Sequence, residues 1–330
     1  MSKYDVDPLF PSELKTYSLK DRKSEIDVGS FARAWDTEGS FADFIDSVPR
    51  ILGGDDLRSL VRAWVTARKL KRGMILGMGA HIIKTGLNPV IIDLMQRGWI
   101  SALALNGAGI IHDFEIAHTG ATSEDVAQQI RFGDFGMARE TGDLLHGAVE
   151  EASRRELGLG EAVGMMLVAS GFPFLQHSLL ASAFRLGIPV TVHVALGTDT
   201  IHFHPRVSGE ALGKTSLRDF FLFCRLVQDL DGGGIYMNAG SAVILPEVFL
   251  KAVSYVRNRG FRLQDFSTAV CDFIRHYRPE QNVVLRPLQG EGRGYYFVGQ
   301  HELFIPLLAA ALKTAGREDQ AVSSAGNNNR

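Results

Sequence analysis

Cysteine is nearly absent: the 330 residues contain two, Cys224 and Cys271. That excludes a disulfide scaffold and a zinc ribbon. An excess of either charge is missing as well, since 35 Lys and Arg face 37 Asp and Glu for a formal net charge of −2. A near-neutral chain is ill suited to coating nucleic acid, whose phosphates call for a basic surface. No window reaches the roughly 18 uncharged apolar residues that a membrane helix requires. The first residues, MSKYDVDPLFPSELK, lack a basic start followed by an apolar stretch, so they do not read as a secretory signal. Nucleotide fingerprints are also missing. No P-loop occurs, and Ile82 stands where the third glycine of a G-x-G-x-x-G begun by Gly77 and Gly79 would fall.

What is present is ordinary for a globular protein: 45% apolar and 22% charged residues. Disorder, a collagen repeat and a coiled coil are excluded for the bulk of the chain. A cytoplasmic protein with no nucleic-acid or membrane partner is expected. Residues 1–30 read as an arm lying over the body or over a neighbouring subunit, 31–316 as a single domain, and 317–330 as a disordered tail. The spacing predicts helices over about 31–70, separated by the Gly-Gly of ILGGDD.

From residue 73 onward, short apolar runs end in Gly, Asn, Ser, Thr or Asp and are followed by helical segments. The runs are 74–79, 100–109, 163–171, 189–199 and 233–241, with a weaker one at 294–300. Continuous apolar runs suit strands buried on both faces of a parallel sheet. Asn88–Pro89 and Gly98 bracket one helix, Pro246 and Gly260 another, and Thr122 with Asp125 resembles a capping box. The pattern predicts an α/β fold: a Rossmann-like, doubly wound, mostly parallel sheet with helices on both faces and an N-terminal helical arm.

Ligands of such sheets bind beyond the carboxyl ends of the strands. Those ends here carry Gly79-Ala80-His81, Asn106-Gly107-Ala108-Gly109, Thr198-Asp199 and Asn238-Ala239-Gly240-Ser241. Glycines there allow close backbone approach to a phosphate or ribose, although α/β turns favour glycine in any case. Several histidines lie nearby. His193, Asp199, His202 and His204 are either metal ligands or hydrogen-bonded loop groups. His112, next to Asp113, is a candidate general base, though adjacent residues seldom face one another. Cys224 and Cys271 read as core.

At this point the residues resemble the deoxyhypusine synthase family. The stretch GMILGMGAHIIKTGLNPVIIDLMQRGWISALALNGAG is similar to that family's first two strands and the helix between them. GIPVTVHVALGTD, GGGIYMNAGS, FSTAV and FVGQHELFIPLLAAAL follow in the family's order, and DVGSFARAWDTEGSFADFIDSV precedes them, so the resemblance spans residues 25–315. It implies a Rossmann-like domain that binds NAD, and a homotetramer of tight dimers or a homodimer with sites at the interface. The family oxidises spermidine with NAD and passes the aminobutyl group to its own lysine, then to a lysine of a translation factor. Bacterial relatives transfer it to a small amine such as putrescine. Positions carried over as NAD contacts are Ala80, His81, Asn106, Gly107, Ala108, Asp199, Asn238, Gly240, Ser241, Thr268, Ala269 and Gln300.

The family's lysine lies in a Trp-Gly-Lys segment before the last strand. The corresponding NVVLRPLQGEGRGYY has no lysine, and a permanently charged guanidinium at Arg286 or Arg293 is no nucleophile. The acidic loop that would hold a polyamine is replaced by CDFIRHYRPEQ. The reading is therefore a deoxyhypusine synthase-like enzyme that binds NAD and acts on an amine by oxidation or aminoalkyl transfer, without making deoxyhypusine. Lys84 is the nearest substitute nucleophile, or a solvated helix lysine, and His112 or Asp199 would assist proton movement. No resident metal is expected. The alternatives are a catalytically silent NAD-binding or assembly protein, and a metal-dependent hydrolase built on His193, Asp199, His202 and His204.

Overall fold

The computed structural model describes residues 3–327 apart from Gln289 and Glu291. Six strands form one sheet: β1 (Met74–Met78), β2 (Ala102–Asn106), β3 (Val190–His193), β4 (Ile235–Ala239), β5 (Ser267–Asp272) and β6 (Arg293–Val298). Their order is β3-β2-β1-β4-β5-β6, and all five neighbouring pairs are parallel. This is the doubly wound Rossmann-like order, with its switch point between β1 and β4.

Two helices precede the sheet, α1 (Phe41–Ser47) and α2 (Leu52–Lys69). Short α3 (His81–Lys84) and α4 (Asn88–Gln96) link β1 to β2. Between β2 and β3 come α5 (Gly107–Thr119), α6 (Val126–Gln129), α7 (Arg139–Arg155), α8 (Leu159–Ser170) and α9 (Leu179–Leu186). Then α10 (Gly209–Gln228) leads to β4, α11 (Ile244–Asn258) to β5, and α12 (Tyr277–Pro279) with a π-type turn at Glu280–Leu285 to β6. The closing helix is α13 (His301–Asn327).

Alternate strand residues feed two cores, one on each face, as a pleated backbone requires. Met74, Leu76, Met78, Leu103, Leu105, Ile235 and Met237 join the larger one with α2, α4, α5, α7, α8, α9 and α13. Ile75, Ala102, Ala104, Tyr236 and Val270 join the other with α10 and α11. On that second face the small residues make room for Tyr236, which stacks on Phe249 at 3.9 Å between centroids. Gly77 belongs to this packing, because a Cβ there would lie 2.5 Å from the Tyr236 hydroxyl.

Three local expectations are corrected. The run 163–171 is not a strand but the body of α8, a helix buried against α9 and β3. The Gly-Gly pair does not separate two helices. Gly53 and Gly54 lie in the first turn of α2, and the break falls at Val48 and Pro49. Gly54 is needed because a Cβ there would sit 2.2 Å from the Pro49 carbonyl. Asp125, not Thr122, caps α6, accepting from Gln128 N at 3.2 Å.

Residues 3–29 are exposed throughout, with three short 3₁₀ turns. α13 runs across most of the stretch expected to be a tail, and residues 328–330 lie outside the described residues. Among the described residues, no helix is long and apolar enough to cross a membrane.

Candidate functional site

The strand ends at the carboxyl edge form two neighbouring regions. The first lies over β2 and β3. Asn106 ends β2 and caps α5, its side-chain oxygen accepting from Gly109 N at 3.1 Å. Asp199, after β3, reaches back to the start of this helix. A Cβ on Gly107 would come 2.1 Å from Asp199 Oδ2, so only glycine admits the carboxylate there. Burial pushes the Asp199 carboxyl up. The His202 ring, the Thr198 hydroxyl and the Ala108 N–H at the helix start pull it down.

His202 Nδ1 accepts from the backbone N–H groups of Gly197 and Asp199, both at 3.1 Å. Its proton therefore sits on Nε2, 3.8 Å from Asp199 Oδ2. Both of these buried atoms lack a hydrogen-bond partner. A buried polar atom without a partner is costly, so a pair facing one another at this spacing marks a place for a bridging hydroxyl.

Beside Asp199 is a cavity of about 190 Å³ lined by Lys84, His112, Glu115, Glu124, Phe135 and Thr198, among others. Its chemistry centres on one network. Thr122 donates its hydroxyl proton to Glu115 Oε2. Having no second proton, Thr122 accepts from His112 Nδ1 at 2.7 Å, which leaves the lone pair on Nε2 free. Thr141 donates to the other Glu115 oxygen at 3.3 Å. Burial, helped by the nearby Lys84 charge, brings the His112 pKa down to about 4. The ring is thus a neutral, oriented base at neutral pH.

The structure brings together Lys84, Ala108, His112, Thr198 and Asp199 around this cavity. Glu115, Glu124 and Thr122 were missed by sequence reasoning. Glu115 was legible, because it stands one helical turn after His112 on α5. Thr122 and Glu124 come from the loop before α6, where no periodicity points to them. Three carboxylates, Glu115, Glu124 and Asp199, line this cavity together with the cation Lys84, and none of them comes from the CDFIRHYRPEQ segment.

The second region lies over the switch point. A Cβ on Gly79 would lie 2.1 Å from the Gly240 carbonyl, so the turns after β1 and β4 are packed backbone against backbone. Gly240 adopts φ +65 beside the His301 ring. His301 Nε2 meets the Cys271 carbonyl at 3.1 Å, and its ring stands 5.4 Å from His81 and 6.0 Å from Phe273. Asn238 donates to the Ser241 carbonyl at 2.9 Å, and Ser241 Oγ accepts from Leu245 N. Asn238 Oδ1 and His301 Nδ1 are buried without partners. Ala80 is nearly covered at the start of α3, and Gln300 is exposed just before α13. Thr268 and Ala269 are not brought to either region. They are fully buried in the first half of β5, three or more residues from its carboxyl end.

The three histidines His193, His202 and His204 do not gather around Asp199. His193 is buried against Phe223 with Nε2 3.0 Å from Thr191 Oγ1, and burial lowers its pKa to about 3. His204 stacks on His146 at 5.6 Å, away from His202. Among the described residues, no three His, Cys, Asp or Glu side chains are grouped to hold a metal, which corrects the hydrolase alternative. Asp113 does not orient His112. It accepts from Ser178 Oγ and from Leu179 N and Leu180 N, capping α9. Both cysteines are buried, and burial raises their thiols to about 11 and about 12.

No protein-family model matches the sequence, and no curated protein is similar to it at a significant level. Solved structures show distant likeness. One is described as a provisional LOR/SDH protein from Methanococcus maripaludis S2, at 15% identity over 85% of this chain and 72% of the other, TM-score 0.49. AgrE, solved as a ternary complex with ornithine and NAD+, is 13% identical over 79% of this chain and 33% of its own, TM-score 0.48. A provisional deoxyhypusine synthase from Entamoeba histolytica is 10% identical over 84% and 96%, TM-score 0.46. At that distance the function rests on this chain's own residues.

Proposed function

We propose that the chain is an NAD-binding enzyme acting on a small amine, on a deoxyhypusine synthase-like scaffold, with its reaction centre at the His112–Asp199 cavity. The observation that carries this reading is the facing pair of unpartnered buried atoms, Asp199 Oδ2 and His202 Nε2, beside a cavity rich in carboxylates. A ribose diol in the cavity would bond the Asp199 carboxylate that lines it, beside Ala108 at the α5 start. NAD, when bound, supplies a hydride acceptor for the carbon next to an amine nitrogen. Glu115, Glu124 and Asp199 favour a cationic amine over a neutral one. His112 Nε2, unprotonated at neutral pH, would accept a hydrogen bond from the amine, and Glu115 through Thr122 holds the ring in the tautomer that can do so. Burial, with the Lys84 charge adding to it, keeps the ring neutral. As the covalent carrier lysine is missing, the reading keeps to oxidation or direct transfer.

The fit to the cofactor is partial. The ribose position is provided for, whereas the packed Gly79–Gly240 contact and the His81, Phe273 and His301 rings occupy the switch point. That closure favours the assembly form of the second reading, in which the chain is either a silent NAD-binding protein or an assembly protein. A homodimer or homotetramer belongs to either, because the exposed arm carries Leu9, Phe10, Leu14 and Tyr17, apolar side chains that another copy would cover. The discriminating experiment is NADH production with putrescine, spermidine and other diamines. The enzyme reading expects turnover that falls about 100-fold in His112→Ala. Bound NAD with no NADH from any amine would establish the silent reading instead.

A further inference from the structure

At the opposite edge of the sheet lies a second cavity, of about 400 Å³, with no acidic lining among the described residues. Its walls come from elements that precede strands. Arg68 is in the last turn of α2 before β1, and Arg97 and Trp99 follow α4 before β2. The third wall is α13, which starts at the carboxyl edge with His301. At about 1.5 Å per residue it reaches the amino edge by Lys313 and Arg317. The two cavities are therefore separated by the length of the strands.

Four cations line the site: Arg68, Arg97, Lys313 and Arg317. One carboxylate stands against them. Asp93 accepts from Arg97 at 2.6 Å and from Lys313 at 2.8 Å, and the Lys313 hydrogen bond holds its carboxyl below the usual range. Among the described residues, Arg68 and Arg317 form no ion pair. Arg68 is held in place all the same: its guanidinium lies 4.2 Å over the Trp99 ring and donates to the Arg97 carbonyl at 3.0 Å. Trp99 is itself fixed, its carbonyl accepting from Trp64 Nε1 at 2.8 Å. Gly316 lets α13 press on this indole, since a Cβ there would lie 2.5 Å from Trp99 Cζ2.

Helix ends attract basic residues, and Arg68 does donate to the Arg97 carbonyl just past the end of α4. Capping explains neither the two cations that α13 adds nor the excess of charge around a concave space. A stacked, preoriented guanidinium presents its remaining N–H groups in the fork that matches phosphate oxygens. The volume is in the range of small-molecule sites and too large for a lone phosphate. Phe41, Trp99 and Ala310 give it an apolar side.

We infer that this cavity binds a small molecule carrying adjoining phosphates on an apolar body, of the nucleoside triphosphate type, independently of the strand-end site. The test is calorimetric titration of the full chain with ATP, tripolyphosphate and adenosine at about physiological salt. Asp199→Ala serves as the parent, so that occupation of the strand-end site is not mistaken for this one. Saturable binding of ATP is expected, with tripolyphosphate weaker and adenosine undetected. Arg317→Ala, at an exposed position that leaves folding intact, should weaken ATP at least tenfold, as should Arg68→Ala. No saturable heat with ATP or tripolyphosphate at millimolar concentration would overturn the inference. So would ATP binding unchanged in both variants.

Discussion

His112 and Asp199 both depart from their ordinary titration because they are buried, and each departure has a kinetic reading. With its pKa lowered to about 4, His112 stays unprotonated through the usual assay range. The account predicts that kcat/KM with an amine shows no acid limb near pH 6.5 from this group. Glu115→Gln, which weakens the hold on Thr122 and removes a negative charge from the cavity, should lower kcat about tenfold and raise KM for the amine. A limb at 6.5 that disappears in His112→Gln would place the ring in a charged, solvated setting instead. Asp219 makes a separate prediction about stability. It accepts from Gly160 N at 2.9 Å and Val192 N at 2.8 Å, and burial raises its carboxyl to about 7. The folded protein binds that proton more tightly than the unfolded chain does. Its contribution is therefore complete below about pH 4 and is lost as the pH rises through 7. The Tm advantage of the native protein over Asp219→Asn should shrink from pH 5 to pH 8. An advantage that grows over that range would contradict the assignment.

At the scale of elements, five of the six strands were legible as apolar runs ending in small or polar residues. The misreadings have a common cause. A buried helix and a buried strand present the same short apolar run, and 163–171 lacks the flanking polar face that would separate them. β5, with its Ser-Thr-Ala-Val-Cys-Asp sequence, hid among small residues, because its neighbours β4 and β6 supply the bulk around it. For the site, strand-end reasoning found Asp199, Ala108 and the α5 start. It could not find Thr122 or Glu124, which a loop carries into place, while the family resemblance carried over Thr268 and Ala269, which lie inside β5 away from its carboxyl end. One packing relation can be checked directly. Gly77→Ala should cost about 1–3 kcal/mol through its clash with Tyr236. Tyr236→Phe removes that hydroxyl, which is buried without a partner, and should be close to neutral alone and restore much of the loss in the double variant. Chemical denaturation of the four proteins tests this, and additive losses would disprove the contact.

At the scale of the whole molecule, the sheet order sorts the chain into a carboxyl edge with carboxylates and an oriented imidazole, and an amino edge where, among the described residues, Arg68 and Arg317 have no ion-pair partner. The arm is the part without a place in either core. If another copy covers it, removing residues 1–30 should lower the sedimentation coefficient of the native protein without unfolding the body. Sedimentation of the full chain as a monomer would exclude that role for the arm.

NAD binding over the strand ends is expected to depend on Asp199, which lines the cavity there. Calorimetric titration of the native protein with NAD, repeated on Asp199→Ala, tests it most directly. The account predicts saturable binding that weakens tenfold or more in the variant, about 1.4 kcal/mol. No heat with the native protein, together with no rise in its melting temperature at millimolar NAD, would contradict it.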